Sequence, residues 1–337
     1  IVAWDFAEGG HGVIGIGPDG LKKWGEKRGA ASLAADDKSV YFMANSWHSS
    51  GNLCRLDKNN GTYQPFKLDG KERPFELPLT EIFGTEVPGK VTGLASSGKT
   101  LAVAMSGGKV ALLDPDSAKL LKLIDVPEPS AVAFAADGKL YALSSGKLVE
   151  ITGDTLRAIP TPGLAKPVDT LTTDAQGNIG LLDDGPDQQI KFFTPDGKLS
   201  HALGKTGGRP IRGDFDEQAM SHVSSIATNA KGETWAAEAW EYPRRVSVWA
   251  RDGKLIRDYI GNTGYSGTGA FLHDQDPTLG YYGPVEMKID QANRTWKVTR
   301  ILWVPGEGEH FEVSSHSHTH PHRFTSSAAG KKREYMF

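Results

Sequence analysis

The sequence predicts an all-β protein assembled from repeated four-stranded units. The chain of 337 residues contains 40 glycines and 19 prolines, a content that disfavours long helices and suits short strands joined by tight turns. One unit recurs: an apolar strand, an Asp/Gly/Asn turn, a second and a third strand, a Pro-Asp-Gly-type turn and a fourth strand. The glycines of the first turn recur about every forty residues, with a longer last interval: Gly98, Gly138, Gly177 and Gly232.

A period near forty with four short strands per unit is typical of a β-propeller blade. We identify six internal units, which start near Ala31, Val91, Ser130, Val168, Val223 and Val285. Residues 1–30 contain part of a blade, and residues 322–337 contain strands that would complete it. We therefore predict one domain, 1–337, with seven four-stranded blades closed by joining the N- and C-terminal strands; six and eight blades are the alternatives.

Three segments need a separate interpretation. The first internal unit is stretched by the acidic, Pro-rich residues 67–90, and the last interval is lengthened by the Gly- and Arg-rich residues 204–216. We interpret the second of these as an insertion. The run Gly15-Ile-Gly17-Pro-Asp-Gly20 fits a dinucleotide-binding pattern, but the residues after it do not open a helix, so we interpret it as a β-turn.

Composition excludes several classes of partner. The net charge of −3 provides no field that would draw the protein onto nucleic acid, and no apolar run is long enough for a membrane-spanning helix. The single cysteine, Cys54, forms no internal disulfide. The chain begins at Ile1 without a methionine, which is consistent with removal of a leader or an upstream segment. We expect an extracytoplasmic location, periplasmic or secreted; the oligomeric state is not predicted.

The segment from His222 to Gly261 contains the most specific pattern. Its order is His222-Val-Ser-Ser-Ile-Ala, Gly232-Glu-Thr-Trp-Ala-Ala-Glu238, Arg245-Val-Ser-Val-Trp and Asp252-Gly-Lys-Leu-Ile-Arg-Asp-Tyr-Ile-Gly261. This order resembles an NHL repeat, and residues 174–204 are similar. The resemblance to NHL-repeat propellers, and to the wider group with gluconolactonase-like enzymes, implies the propeller fold. It leaves the function open, because that group includes lyases, lactonases and RNA- or protein-binding platforms.

The loops that enter the innermost strands ring one mouth of a propeller channel, which is the default site. Alignment places Pro167-Val-Asp169, His222-Val-Ser224 and Pro284-Val-Glu286 in register, and His320-Pro-His322-Arg323-Phe324 in the same place if the tail closes the ring. His222, His320 and His322 are the candidate ligands of a divalent metal, zinc or calcium. Glu286 and Arg323 are the candidate catalytic residues, and Asp169 is a candidate ligand-binding residue. The alternative is that these side chains are polar caps on a water-filled channel.

The tail contains four of the ten histidines at alternate positions: His316, His318, His320 and His322. In an extended segment alternate residues share one face, which suits coordination of zinc, nickel or copper by imidazole. The alternative is an exposed polar loop that binds metal adventitiously.

An aromatic and basic loop replaces the short connection of an NHL unit. Trp240, Tyr242 and Arg244 suit stacking on a sugar ring while binding a carboxylate or sulfate. Tyr265, Tyr281 and Tyr282, in the Gly-rich loop before Pro284, would extend the same wall. The alternative is that the aromatic residues pack between blades, which we expect for the strand residues Trp235, Trp249 and Trp296.

Three functions are compatible with these features. The first is an extracytoplasmic binding propeller that recognises a glycan or another anionic small molecule at the channel mouth. The second is a metal-assisted lyase or hydrolase acting on a carbohydrate or lactone, with a basic side chain neutralising the substrate carboxylate. The third is a protein-interaction scaffold. Whether the protein is an enzyme is open at this point, and stoichiometric metal tied to activity would separate the second function from the first.

Overall fold

A computed structural model describes most of the chain. The described residues are 2–4, 12–17, 21–26, 28–45, 50–210, 212–238, 243–261, 270–282, 285–302, 323–328 and 331–336. They fall in two compact units. The first unit comprises 1–208, 218–239 and 246–259, and the second comprises 209–217, 240–245 and 260–337.

Sheets 1 and 2 are built from the N-terminal part of the first unit. Sheet 1 contains β1 (Val2–Trp4), β2 (Gly12–Ile16) and β3 (Lys22–Glu26). Sheet 2 begins with β4 (Gly29–Ala35), β5 (Ser39–Asn45) and β6 (Ser50–Asp57). A hairpin of β7 (Phe66–Leu68) and β8 (Lys71–Arg73) follows, then β9 (Leu77–Pro78), which is the fourth strand of sheet 2, and the helix α1 (Leu79–Phe83). The stretched segment 67–90 therefore still supplies a fourth strand.

Sheets 3, 4 and 5 are four-stranded and follow chain order. Sheet 3 contains β10 (Val91–Ser96), β11 (Leu101–Met105), β12 (Lys109–Leu113) and β13 (Leu120–Asp125). Sheet 4 contains β14 (Pro129–Phe134), β15 (Leu140–Ser144), β16 (Lys147–Thr152) and β17 (Thr155–Ala158). Sheet 5 contains β18 (Pro167–Thr173), β19 (Ile179–Asp183), β20 (Gln189–Phe193) and β21 (Leu199–Leu203).

The remaining strands form sheets 6 and 7 and a hairpin. A short strand, β22 (Gly213–Asp214), precedes sheet 6, which contains β23 (Val223–Thr228), β24 (Thr234–Glu238), β25 (Arg245–Trp249) and β26 (Leu255–Ile260). Sheet 7, in the second unit, also contains β27 (Ala270–Leu272), β28 (Leu279–Tyr282), β29 (Val285–Asp290) and β30 (Thr295–Ile301), in the order β22-β30-β29-β28-β27. The hairpin pairs β31 (Arg323–Ala328) with β32 (Lys331–Met336).

The tight turns explain the glycine content. Gly98, Gly138, Gly177 and Gly232 all have positive φ, from 77° to 87°, a backbone conformation that costs glycine little and other residues more. Each lies between the first and second strands of its sheet, as the repeat predicted. Gly15 and Ile16 of the dinucleotide-like run belong to β2, which pairs with β3, and residues 18–20, where a β-turn was predicted, lie outside the described residues.

The hydrophobic core lies between consecutive sheets of the first unit. The second strands of sheets 3, 4 and 5 are buried at every position, as expected for strands covered on both faces. Each of five core clusters combines residues of two consecutive sheets, from sheets 1 and 2 to sheets 5 and 6. Four-stranded antiparallel sheets stacked face to face in chain order, with their first strands side by side, form a β-propeller.

The first strands of neighbouring sheets run in the same direction and in step. The Thr92 hydroxyl donates to the Pro129 carbonyl at 2.5 Å, and the Thr173 hydroxyl donates to the Phe134 carbonyl at 2.8 Å. Between sheets 5 and 6, the Ile226 amide donates to the Thr170 hydroxyl, and Thr228 repeats the contact two residues further on. Residues that directly precede the first strands therefore share one level at the entry end of the sheets.

Two expectations about the last repeat are wrong. Val285 does not start a first strand: β29 lies in the middle of sheet 7, paired on both sides. Tyr281 and Tyr282 are not in a loop, because they belong to β28 and pair with β29. The repeat pattern missed β28 because glycine and two tyrosines resemble a loop sequence. The Gly- and Arg-rich insertion supplies β22 at the edge of this sheet.

The closing blade stays a prediction. Residues 2–26 contain the three described strands of sheet 1, and residues 323–336 contain the described hairpin. These two groups belong to different compact units, and the number of blades is likewise a prediction.

Candidate functional site

The entry end of sheet 5 brings two loops together. Because β18 and β19 are antiparallel, Pro167 at the start of one strand lies opposite Asp183 at the end of the other. The loop before each first strand and the loop after each second strand therefore meet at the same end. This is the end at which the sequence predicted the channel mouth.

A buried ion cluster supports this end of sheet 5. The Lys191 ammonium lies 2.7 Å from Asp183 and 2.6 Å from Asp187, and it also donates to the Gly163 carbonyl. The Asp183 side chain is fully buried and that of Lys191 is 5% exposed. Amides of Ala165, Lys166 and Gly185 also donate to Asp183, so its carboxylate joins both loops.

The same contacts determine the protonation of the pair. Burial alone would raise the pKa of Asp183, but hydrogen bonds from Lys191 and the loop amides outweigh it, so this pKa lies below its usual range. Burial alone would lower the pKa of Lys191, but hydrogen bonds to Asp183 and Asp187 outweigh it, so this pKa is raised. Both groups are therefore charged near neutral pH.

Asp184 joins Lys166 to His222 at the surface of this end. The Lys166 ammonium lies 2.5 Å from Asp184 Oδ2, and His222 Nδ1 lies 3.9 Å from Asp184 Oδ1. The side chains of Lys166 and His222 are 67% and 39% exposed. Burial opposes ionisation of Asp184, but hydrogen bonds from Lys166 and Gln188 lower its pKa overall. An anionic carboxylate therefore lies between two accessible hydrogen-bonding groups.

The backbone at Gln188 and His222 is held in an unusual conformation. Their φ angles are 50° and 46°, in the left-handed region that non-glycine residues rarely adopt. The Gln188 side chain links His222 to Asp184, because the His222 amide donates to Gln188 Oε1 at 3.2 Å and Gln188 Nε2 donates to Asp184 Oδ1 at 3.0 Å. Strain of this kind concentrates at functional sites, which favours this end as the site.

Asp169 lies in a bulge of the first strand near this cluster. Register shifts between Pro167 and Leu171, so the residues between them are released from regular pairing. The Asp169 side chain is exposed. It has no hydrogen bond or ion pair with any other residue that the structure describes. The structure therefore places Asp169 and His222 at one end of neighbouring sheets, which stays compatible with the predicted ligand site.

Other predicted residues lie elsewhere or outside the described residues. Arg244 and Glu286 belong to the second unit. The Gly261 amide donates to the Arg244 carbonyl at 2.8 Å, and the Thr299 hydroxyl donates to Glu286 Oε1 at 2.9 Å. Only the backbone of Arg323 is described, in β31. The remaining candidates lie outside the described residues: Trp240, Tyr242, Tyr265, His316, His318, His320 and His322.

Glu286 belongs to a polar row across sheet 7. Register places Asp214 opposite Arg300, Arg300 opposite Glu286, and Glu286 opposite Tyr281. Opposite residues of antiparallel strands share a face, and Arg300 pairs with Asp214 at 3.1 Å. Burial raises the pKa of Tyr281, and the nearby Glu286 charge adds to it. Glu286 is thus engaged by its own sheet.

The strand tryptophans differ from one another. Trp249 is fully buried in the core between sheets 5 and 6, which confirms the packing prediction. Trp235 stacks on Tyr259 of its own sheet, with ring centroids 5.7 Å apart. The prediction for Trp296 is wrong, because this side chain is 49% exposed on sheet 7.

Sequence reasoning missed three residues of the entry-end cluster, Lys166, Asp184 and Gln188. The sequence did contain a signal for them: the run Asp183-Asp184-Gly185-Pro186 directly follows an apolar strand. The end of that second strand lies beside the start of the first strand of the same sheet, so polar residues in this run belong to the entry end. Among the described residues, no group of three or more His, Cys, Asp or Glu side chains could hold a metal ion. The predicted metal site depends on two histidines outside those residues and stays a prediction.

The fold and the polar entry end define a β-propeller with a candidate binding mouth. No protein-family model and no curated protein matches the chain. The chain is similar to a solved structure described as streptogramin B lyase, at 15% identity and a TM-score of 0.46, over 81% of this chain and 83% of that one. It is also similar to a protein of unknown function from Bacteroides thetaiotaomicron VPI-5482, at 16% identity and a TM-score of 0.49, over 72% and 62%. Neither similarity bears on activity.

One further finding concerns membranes. Within the described ranges, no helix is long and apolar enough to cross a membrane.

Proposed function

We propose that this protein is an extracytoplasmic, NHL-like β-propeller that binds a small anionic ligand, a sugar acid, at the entry end of sheets 5 and 6. The supporting observation is the pair of accessible groups, Lys166 and His222, on either side of Asp184. A ligand carboxylate accepts hydrogen bonds from the Lys166 ammonium and the His222 ring, and Asp169 accepts one from a ligand hydroxyl. Asp184 holds the Lys166 ammonium at 2.5 Å and lies 3.9 Å from the His222 ring, so both donors are near one carboxylate.

The aromatic loop is a separate proposal for a glycan-binding segment. Trp240 and Tyr242 would stack on a sugar ring, and Arg244 would bind a carboxylate or sulfate of that sugar. These three roles are predictions.

Replacing Lys166 with Met is expected to weaken binding of D-galacturonate by up to about fivefold, because an exposed ion pair contributes up to about 1 kcal/mol. Isothermal titration calorimetry measures the change, with neutral D-galactose as the ligand control. Lys198→Met is the matched protein control, because Lys198 is 81% exposed and pairs with Asp196 in the turn at the opposite end of sheet 5. Equal loss in both variants, or equal affinity for galactose, would contradict the proposal.

A second candidate function is a metal-assisted lyase or hydrolase acting on a carbohydrate or lactone. One observation favours it: the partly exposed His222 ring lies near a carboxylate, with Nδ1 3.9 Å from Asp184 Oδ1. A carboxylate commonly orients a metal-binding histidine in this way. Imidazole ligands suit zinc better than calcium, which prefers oxygen. His320 and His322, which lie outside the described residues, are the other ligands that the sequence predicts.

Elemental analysis of extensively dialysed protein tests this candidate. We expect about one equivalent of zinc per chain if it is correct, and loss of that zinc in the His222→Ala/His322→Ala double variant. His201→Ala is the control, because His201 stacks on Phe192 within sheet 5, with ring centroids 4.4 Å apart. Metal retained by the double variant, or no metal in the natural chain, would reject a zinc site of this composition. Protein-interaction scaffolding stays a third prediction.

A further inference from the structure

Each first strand of sheets 2 to 6 directly follows a charged residue or a histidine. These strands run in the same direction with matching ends, and in sheets 2 and 3 the Ser96 hydroxyl at the end of β10 donates to Asp36, directly after β4. The five residues therefore share one level at the entry end of the first unit. In sheet order they are Arg28, Lys90, Glu128, Lys166 and His222. We call them the entry ring.

The members of the entry ring differ in their availability. Arg28 is engaged, because it donates to the Tyr63 hydroxyl at 2.8 Å and lies 3.2 Å from Glu76. Lys90 and Glu128 are exposed. Their charged groups have no hydrogen bond or ion pair with other residues in the described part of the chain. Lys90 and Glu128 therefore present solvated charges beside Lys166.

The backbone that carries these two charges is well supported. The Ser106 amide donates to the Lys90 carbonyl at 2.8 Å, and the Lys90 amide donates to the Ser106 hydroxyl at 3.0 Å. Glu128 has a φ of 43°, and its carbonyl accepts from the Ser145 amide at 3.2 Å. The backbone positions from which these two side chains extend are thus set by hydrogen-bonded loops.

The charges on sheets 3, 4 and 5 alternate as Lys90, Glu128 and Lys166. We infer that the ligand of this mouth carries two anionic groups separated by a hydroxyl-bearing segment, as an oligomeric sugar acid does. One carboxylate pairs with Lys166 and the other with Lys90, while Glu128 accepts from a hydroxyl between them. This inference rests on the proposed function and specifies its ligand class.

Two anionic groups on one ligand bind more tightly than one. A single exposed ion pair contributes little, but the second contact of a linked ligand forms at a high effective concentration. Digalacturonate is therefore expected to bind the natural chain about tenfold more tightly than D-galacturonate. Methyl-esterified digalacturonate, which keeps the rings and loses the charges, is expected to show no such gain.

Lys90→Met is expected to abolish the tenfold gain in affinity, so that digalacturonate and D-galacturonate bind this variant equally tightly. The control is Lys99→Met, which removes an exposed lysine from the turn at the opposite end of sheet 3. Calorimetry and thermal melting on the same samples show that each variant is folded. Retention of the gain in Lys90→Met, or an equal gain with the methyl ester, would overturn the inference. If D-galacturonate still bound in a manner that depends on Lys166, the proposed function would stand without this inference. If neither D-galacturonate nor digalacturonate bound, the inference and the proposed function would both be overturned.

Discussion

Replacing Lys191 with Met is expected to lower the free energy of unfolding by about 3–5 kcal/mol, the usual cost of removing one partner of a buried ion pair. The variant leaves Asp183, which is fully buried, without its ammonium partner. Urea unfolding followed by tryptophan fluorescence measures the change. Lys198→Met should unfold at the same urea concentration as the natural chain, because Lys198 and its partner Asp196 are both exposed.

The stability difference between the natural chain and Lys191→Met should depend on pH. The pKa of Asp183 is lowered in the folded protein, so its stabilisation is present above the unfolded pKa, about 3.9, and is lost as the pH falls through the folded value. The pKa of Lys191 is raised, so its stabilisation is present below about pH 10.4 and is lost as the pH rises through the folded value.

The difference in the free energy of unfolding between the natural chain and Lys191→Met should therefore be largest between about pH 3.9 and about pH 10.4 and smaller outside that range. A gap below about 1 kcal/mol at neutral pH would show that the cluster is not a structural support of the entry end.

Replacing Trp249 with Ala is expected to destabilise the protein by about 3–5 kcal/mol, because a buried aromatic side chain leaves a cavity that its neighbours fill only in part. Trp249 is fully buried among residues of sheets 5 and 6, and its ring nitrogen donates to the Ser247 hydroxyl at 2.8 Å. The midpoint of thermal unfolding measures the loss.

Trp296→Ala is the matched control for this substitution. Trp296 is 49% exposed, so its removal should change stability by about 0.5 kcal/mol or less. The two variants delete the same side chain, and only its burial differs. Similar melting of both variants would contradict the packing between sheets 5 and 6.

The sequence predicted most of the first unit because its signals are local. Glycines at the first turns have the positive φ that the pattern required, and His222–Gly261 forms the four expected strands. Sheet 7 escaped prediction because its strand order does not follow the repeat. β22 comes from a segment interpreted as an insertion, and β28 contains Tyr281 and Tyr282, which were assigned to a loop.

The candidate site was predicted only in part. Asp169 and His222 were identified because residues near the start of a first strand lie at the mouth in any propeller. Lys166 and Asp184 were missed, because their roles depend on which loop reaches which neighbour. Trp249 is buried and Trp296 is exposed for a similar reason. Both lie on strands, and only the stacking of one sheet on the next determines which face of a strand is buried.

By itself the sequence determined the all-β class, the repeat and the strands of sheets 3 to 6, because strand alternation and turn conformation depend on neighbouring residues. The tertiary structure decided that Lys166 and His222 meet at Asp184, that Lys191 is buried between two aspartates, and that the entry ring shares one level. These arrangements join segments far apart in the chain. Their geometry is set by how whole sheets pack, which no local pattern encodes.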